Sequence, residues 1–243
     1  MTPIHIQFTR FSAFYSPLIS AMSGGFLAAE GLEATHSVAP PGKSAIDALV
    51  AGTAQVAQSA LSQGLTSLEK GEKPAAVHFA QIHEKDGFFL TAREPDPDFR
   101  WDKLRGRKVL VDHGGQPLAM FKFACHKMGL DFAVIDAVDA GNGAKLETDM
   151  AKAFMRAYRK IRRYVNETPA EEIAAAEARF FPDTDREVLA GTIAAYQKLG
   201  CWTPHLEITP AAYEVTLDVF AHVGRLSERH PYEAVCAAPP MED

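Results

Sequence analysis

The chain has 243 residues, of which 47% are hydrophobic and 23% are charged. This length allows one large domain or two small ones, and this composition excludes disordered, fibrous and low-complexity proteins. A net charge of −6 argues against nucleic-acid binding through the phosphate backbone, which needs a basic protein. No uncharged apolar stretch reaches the length of about 18 residues that spans a bilayer, so we predict no membrane span.

The first part of the chain alternates strand-like and helix-like segments. Apolar residues alternate with polar ones at Ile4, Ile6 and Phe8, which is typical of a strand with one buried face. Further strands are predicted at residues 33–38, 54–60, 75–81 and 88–91. Helices are predicted at residues 18–30, 44–51 and 61–70. This order predicts an α/β fold with a mainly parallel sheet.

A second region follows residues 94–98, whose sequence EPDPD predicts a crossing between domains. Its predicted elements are strands at 108–111 and 133–138, a glycine loop at 113–116 and a helix at 117–128. Beyond it, helices are predicted at 148–165, 170–180, 185–199 and 210–223. The first of these helices carries a basic run that we interpret as its solvated side, namely Arg156, Arg159, Lys160, Arg162 and Arg163.

Two turns come directly before predicted helices. Residues 40–44 read PPGKS, in which Ser44 can cap the helix whose positive end lies there. Residues 112–117 read DHGGQP, in which Gly114 and Gly115 let a ligand approach the backbone. Each turn is interpreted either as a site for an anion or polar group or as a plain structural feature.

An aromatic and basic loop follows the first predicted strand. Arg10, Phe11 and Tyr15 lie in it, and an arginine beside aromatic rings suits a small organic anion or a planar ring. The alternative is a loop that buries its aromatic side chains in the core of the protein. Both interpretations stay open at this point.

Common catalytic and metal-binding motifs are absent. The GKS at residues 42–44 resembles a P-loop, but Pro40 and Pro41 lack the N–H groups that would hold phosphate. Leu146 interrupts the dinucleotide pattern that begins at Gly141. No HExxH or GxSxG motif occurs, and the three cysteines suggest buried or free thiols. We predict no metal, no cofactor and no catalytic residue.

Three motifs in order along the chain point to a known family. Residues 25–32 read GFLAAEGL, like a family GxFxxEGL; residues 48–56 read ALVAGTAQV, like LxxGxxDV; residues 104–109 read LRGRKV, like LKGKxV. With the order of elements, they resemble the NMT1/THI5-like group of type II periplasmic binding proteins. The resemblance covers residues 4–141 and resumes at about Thr148. Gln55 replaces the usual acid of the second motif.

The resemblance implies a two-lobed type II periplasmic-binding-protein fold with mainly parallel sheets and C-terminal helices. Residues 1–92 would begin lobe 1, residues 93–147 would form a shortened lobe 2, and residues 148–243 would return to lobe 1. Such proteins hold a sulfonate-, nitrate- or pyrimidine-like molecule between the lobes for the permease of an ABC importer. The implied ligand-binding residues are Arg10, Phe11, Tyr15, Gly42, Lys43, Ser44, Ser59, Gln63, His83, Gly114, Gly115 and Gln116.

The chain departs from this family after Gly141. Family members continue with another helix, a ligand-facing strand and a return crossover, several dozen residues in all. Here residues 142–147 lead directly into the helix of Thr148. We therefore predict that the second lobe lacks part of its sheet and one of its hinge strands.

The resemblance leaves two other functions open. Fungal pyrimidine synthases of thiamine biosynthesis share the fold and need a histidine, a lysine and a cysteine-rich motif; His83 and Lys85 are present, but clustered cysteines are not. The second alternative function is a cytoplasmic ligand sensor, or a remnant that binds a protein partner. The N-terminus has no signal-peptide pattern, so we expect the periplasm if a leader was removed and the cytoplasm otherwise.

Overall fold

Parallel strands form the sheet of the N-terminal part. β1 (Thr2–Phe8) lies between β2 (Leu32–Val38) and β3 (Val56–Ala57) and pairs with β2 along its whole length. Ile4, Ile6 and Phe8 of β1 are buried as the sequence pattern predicts, and Gln7 is buried as well. The computed structural model describes residues 1–85, 90, 96–111, 116–138 and 149–239.

Short helices connect and follow these strands: α1 (Ser16–Ser23), α2 (Phe26–Ala29), α3 (Ala45–Val50) and α4 (Ser62–Glu69). The single helix predicted at 18–30 is wrong, because α1 ends before α2 begins. Gly25, which lies between them, has φ of +71°, a left-handed conformation that glycine adopts without strain. The other two predicted helices are confirmed to within one residue at each end. We call β1–β3 with α1–α4 the first lobe.

The predicted strands beyond β2 are shorter than expected or not confirmed. Residues 75–81 contain only one isolated bridge, in which His78 pairs with Cys236. β3 covers much less than the predicted 54–60. The strand predicted at 88–91 lies almost wholly outside the described residues. Short apolar runs overpredict strands because buried loops are apolar as well.

A second, smaller sheet follows. β4 (Lys108–Leu110) pairs in parallel with β5 (Asp136–Val138), and α5 (Gln116–Lys127) lies between them in the chain. A 3-10 turn at Phe132–Val134 occupies the start of the strand predicted at 133–138, so β5 begins later than expected. We call these elements the second lobe.

Longer helices make up the C-terminal part, close to the predicted bounds: α6 (Asp149–Glu167), α7 (Ala170–Glu177), α8 (Arg186–Leu199) and α9 (Pro210–His222). α6 packs on α1 and α2, and α7 packs on α1 and α8, so these three helices belong with the first lobe. α9 packs against α5 of the second lobe, in a core that also contains Leu65 of α4. The division into residues 1–92, 93–147 and 148–243 stays a prediction.

The basic run on α6 is not wholly solvated, contrary to the sequence interpretation. Arg162 is only 1% exposed, whereas Arg159 and Arg163 lie at the surface. Arg162 adjoins Ile161 and lies one turn beyond Tyr158, and both of these side chains are buried. The buried face of α6 therefore includes the side chain of Arg162.

Candidate functional site

The loops that follow β1, β2 and β3 leave from one edge of the sheet. The N–H of Ala39 donates to the carbonyl of Phe8 at 2.7 Å, and the N–H of Thr9 donates to the side-chain oxygen of Gln58 at 3.1 Å. Ligands of open α/β sheets bind beyond this carboxyl edge. The predicted residues on these loops are Arg10, Phe11, Gly42, Lys43, Ser44 and Ser59.

The aromatic side chains of the first loop pack inward. The ring centroid of Phe11 lies 4.9 Å from that of Phe8 and 5.5 Å from that of Phe180. Tyr15 is 9% exposed and belongs to the same core. Core burial, one of the two alternatives, therefore describes both side chains, and their contact with a ligand stays a prediction. Arg10 is exposed.

Ser44 caps α3. Its hydroxyl accepts from the N–H of Ile46 at 3.0 Å, and its own N–H donates to the carboxylate of Asp47 at 3.0 Å, which completes a capping box. Gly42 has φ of +76° in the turn before the helix, and Lys43 beside it is exposed. The plain cap accounts for Ser44, and ligand contact by these three residues stays a prediction.

Ser59 and Gln63 lie where β3 leads into α4. The Ser59 hydroxyl is 2.5 Å from Nε2 of His78, a residue that the sequence analysis did not select. His78 is held by its own N–H, which donates to the carbonyl of Val235 at 2.8 Å. The side-chain oxygen of Gln63 is buried without a hydrogen-bond partner among the described residues.

His83 stacks on the aromatic loop. Its ring centroid lies 3.7 Å from that of Phe14, with 25° between the planes, and 6.3 Å from that of Tyr15. Burial lowers the pKa of His83 from 6.5 to about 3, and the Arg162 guanidinium acts in the same direction. The ring is therefore neutral at neutral pH.

Arg162 holds the segment that leads to His83. Its Nε donates to the carbonyl of Thr203 at 2.7 Å, and its Nη2 donates to the Thr203 hydroxyl at 3.1 Å. Its Nη1 donates to the carbonyls of Gln81, at 3.4 Å, and Ile82. The apolar spacing of α6, which continues past Arg162, is the signal that could have identified this residue.

The predicted second-lobe residues are only partly described. Gln116 is half-buried at the first position of α5, whereas Gly114 and Gly115 lie outside the described residues. A cleft shared between them and the first lobe stays a prediction. A separate cavity of about 400 Å³ opens beside β2, where Ala34, His36 and Arg179 are among its lining residues.

The described residues form no metal site with three or more protein ligands, no disulfide and no membrane-spanning helix. Among the described residues, no group of three or more histidines, cysteines and carboxylates is placed to hold a metal ion. Cys125, Cys201 and Cys236 are buried in three different core clusters and form no disulfide bond with one another. No helix in the described ranges is long and apolar enough to cross a membrane.

Comparison with known proteins identifies the family of this chain and a bacterial relative. The family model described as "NMT1/THI5 like" matches residues 13–198, well over half of the chain. The Bacillus subtilis (strain 168) protein named "Putative binding protein YtlA" is 24% identical over 289 residues, covering 96% of this chain and 86% of that protein. Because 289 exceeds the 243 residues here, that protein has residues without a counterpart in this chain.

Solved structures share the fold. The periplasmic aliphatic sulphonate binding protein SsuA of Escherichia coli has a TM-score of 0.65 at 12% identity, over 100% of this chain and 94% of that one. The ligand-binding component of an ABC-type import system of Staphylococcus aureus was solved with zinc bound. It has a TM-score of 0.63 at 14% identity, over 98% of this chain and 97% of that one. The predicted periplasmic-binding-protein fold is confirmed.

Proposed function

The chain belongs to the NMT1/THI5-like family, and from this we propose that it is a solute-binding protein that captures a small organic molecule or anion for an ABC importer. The solute would be sulfonate-, nitrate- or pyrimidine-like. Binding proteins of import systems among its structural neighbours support this proposal. The partner would be the permease of the importer, and the site of action the periplasm.

One observation carries the proposal: the three loops of the first lobe start from a single carboxyl edge. Two hydrogen bonds keep these loop starts together: the N–H of Ala39 donates to the carbonyl of Phe8, and the N–H of Thr9 donates to the side chain of Gln58. Arg10 and Lys43, both exposed on these loops, supply positive charge there. An edge with positive charge and polar groups suits a small anion or a polar ring.

The second lobe would close over this edge with Gly114, Gly115 and Gln116. Its described sheet has only β4 and β5, in line with the predicted shortening after Gly141. The additional residues of the YtlA protein support a deletion in this chain, and we place it in the second lobe. A shortened lobe covers less of the solute, so we expect a more open cleft than in full-length relatives.

Thermal unfolding with a panel of sulfonates, nitrate, pyrimidines, flavin-like rings and aromatic acids tests the function. A solute at 100 times its dissociation constant should stabilise the protein by about 2.7 kcal/mol. Arg10→Ala should abolish that stabilisation for anionic solutes, whereas Arg163→Ala, an equally exposed arginine on α6, should preserve it. If no solute stabilises the protein, the proposal fails; if an anionic solute stabilises both variants alike, Arg10 does not bind it.

The synthase alternative gains no support from the fold. Its chemistry needs clustered cysteines, and the three cysteines here lie in separate core clusters. His83 is stacked on Phe14, and Lys85 is exposed nearby. We therefore propose binding without catalysis.

A further inference from the structure

Two histidines lie side by side where α5 and α9 end. His126 lies in the last turn of α5, and His222 is the last residue of α9. Their ring centroids are 4.3 Å apart, with 33° between the ring planes, and both residues are exposed. Neither ring has a hydrogen-bond or ion-pair partner among the described residues. The pair therefore offers imidazole nitrogens at the protein surface.

Phe123 keeps the two rings in place. It lies one turn before His126 in α5 and packs against the core that α5 shares with α9. Its ring centroid is 5.6 Å from that of His222, in an edge-to-face arrangement, and 6.4 Å from that of His126. These contacts hold histidines from two separate helices beside each other.

The electrostatic surroundings of the pair favour a cation. The last carbonyl groups of a helix carry partial negative charge, and two helices end at this pair. Asp218, one turn before His222, adds a carboxylate, although it also pairs with Arg229 at 3.0 Å. Lys127 acts in the opposite direction, and its ammonium group lies 4.9 Å from the centre of the Phe123 ring. Because an imidazole binds a metal ion through a lone pair, one nearby ammonium group does not exclude such an ion.

We propose that a divalent transition-metal ion that prefers imidazole, such as zinc or nickel, binds between His126 and His222 and joins α5 to α9. Two imidazoles on one tetrahedral zinc ion, with Zn–N bonds of about 2.0–2.1 Å, have ring centroids roughly 5 Å apart. The separation here is within about 1 Å of that value. Exposed imidazole rings turn readily about their last torsion, which lets both rings direct a nitrogen at one ion.

This site differs from a structural metal centre. It has two protein ligands, with water in the other positions, so it binds more weakly than a centre of four protein ligands. Cys125, the neighbour of His126 in the chain, is wholly buried in the core of the second lobe and does not contribute its thiol. The sequence analysis predicted no metal, because neither histidine belongs to a metal-binding motif within its own helix. The inference does not depend on the proposed function.

Calorimetry with Ni²⁺ at pH 7.5 tests the site on the full chain without a histidine tag. We expect one ion to bind per chain, and His126→Ala and His222→Ala each to weaken binding about tenfold or more. His36→Ala, at an exposed histidine outside the pair, should leave the affinity unchanged. Mg²⁺, which prefers oxygen ligands, should not bind. Absence of Ni²⁺ binding, or an unchanged affinity in either variant of the pair, overturns the inference.

Hydrogen exchange tests whether one ion joins the two helices. Saturating Ni²⁺ should slow exchange in the last turns of both α5 and α9 and leave α1 unchanged. Either alanine variant should abolish the slowing in both helices, because one remaining imidazole cannot join them. Both histidines are exposed, so their replacement leaves the core intact and the comparison valid. Slowing in only one of the two helices overturns the inference.

Discussion

The two lobes differ in how their sheets are covered. Helices α1, α6, α7 and α8 contribute to one large core with the three strands of the first lobe. The two strands of the second lobe share a core whose buried members are Cys125, Leu130 and Ile135. Because buried apolar area contributes most of the stability, we expect the first lobe to hold its part of the site firmly and the second lobe to open more readily.

The C-terminal helices support both lobes, although unequally. α6, α7 and α8 pack on the first lobe, whereas α9 joins α5 through a separate core that includes Ala119, Tyr213 and Phe220. This core also contains Leu65 of α4, so it joins helices of both lobes. The first lobe therefore has a large core of its own, whereas α5 of the second lobe is buried partly against α9.

Arg162→Met should have the largest effect, a loss of about 3–5 kcal/mol in the free energy of unfolding, measured by urea denaturation. The buried guanidinium donates to the carbonyls of Gln81, Ile82 and Thr203, and methionine leaves all three without that donor. Arg163→Met on the same helix removes only an exposed pair with a glutamate and should cost less than about 0.5 kcal/mol. Equal losses would show that the buried arginine does not support the first lobe.

Glu177→Gln should change how stability depends on pH. The Glu177 carboxyl is fully buried and accepts from the hydroxyls of Ser16, at 2.8 Å, and Ser20, at 2.5 Å. Burial raises its pKa from 4.5 to about 7, although both serine hydrogen bonds act in the opposite direction.

The sign follows from which state binds the proton. Between about pH 4.5 and pH 7, the folded protein keeps the Glu177 proton and the unfolded chain releases it, so stability falls as pH rises. The total loss is about 3 kcal/mol. Glu177→Gln should remove this slope in urea denaturation at several pH values. The low pKa of His83 gives the opposite slope below pH 6.5 in both proteins, so the difference between them isolates Glu177. Parallel pH profiles would contradict the prediction.

Ile135→Ala should destabilise the second lobe by about 2 kcal/mol, because it leaves a cavity in a small core. Hydrogen exchange of the full chain should show faster exchange in β4 and unchanged exchange in β1. Val188→Ala, at a position that is 61% exposed, should alter neither strand. Equal acceleration in β1 and β4 would mean that the two lobes unfold as one unit.

Ser44→Ala should have the smallest effect, a loss of about 1 kcal/mol, because it removes the cap of α3 in the first lobe. Thermal unfolding without solute measures it. Ser67→Ala, within α4, should stay within about 0.5 kcal/mol of the unchanged protein. If Ser44→Ala costs nothing, the hydroxyl of Ser44 is available to a solute rather than engaged as a cap.

Local patterns predicted much of the fold because they depend on near neighbours. The alternation at Ile4 and Ile6 predicted β1, and Ser44 predicted the start of α3. The helix predicted at 18–30 was wrong, since the spacing of apolar residues continues through Gly25 and conceals a left-handed turn. The loop residues after each strand could be selected by position, but their ligand contacts stay a prediction.

The residues that the sequence analysis missed have partners far away in the chain. Arg162 contacts Gln81 across 81 positions, and Glu177 contacts Ser16 across 161 positions. On α6 the charge of Arg162 predicted solvent exposure, because a buried arginine is costly unless carbonyl or carboxylate partners meet it. Nothing in the local sequence shows that those partners are present.

The α/β order, the cap at Ser44 and the family were predictable from the residues alone, because they depend on spacing and turn chemistry within a few positions. The folded structure was needed to show which polar groups are buried, such as Arg162 and Glu177, and which helices pack on each lobe. Hydrogen bonds and burial depend on atoms that folding brings together from distant segments, and a linear pattern does not specify those meetings.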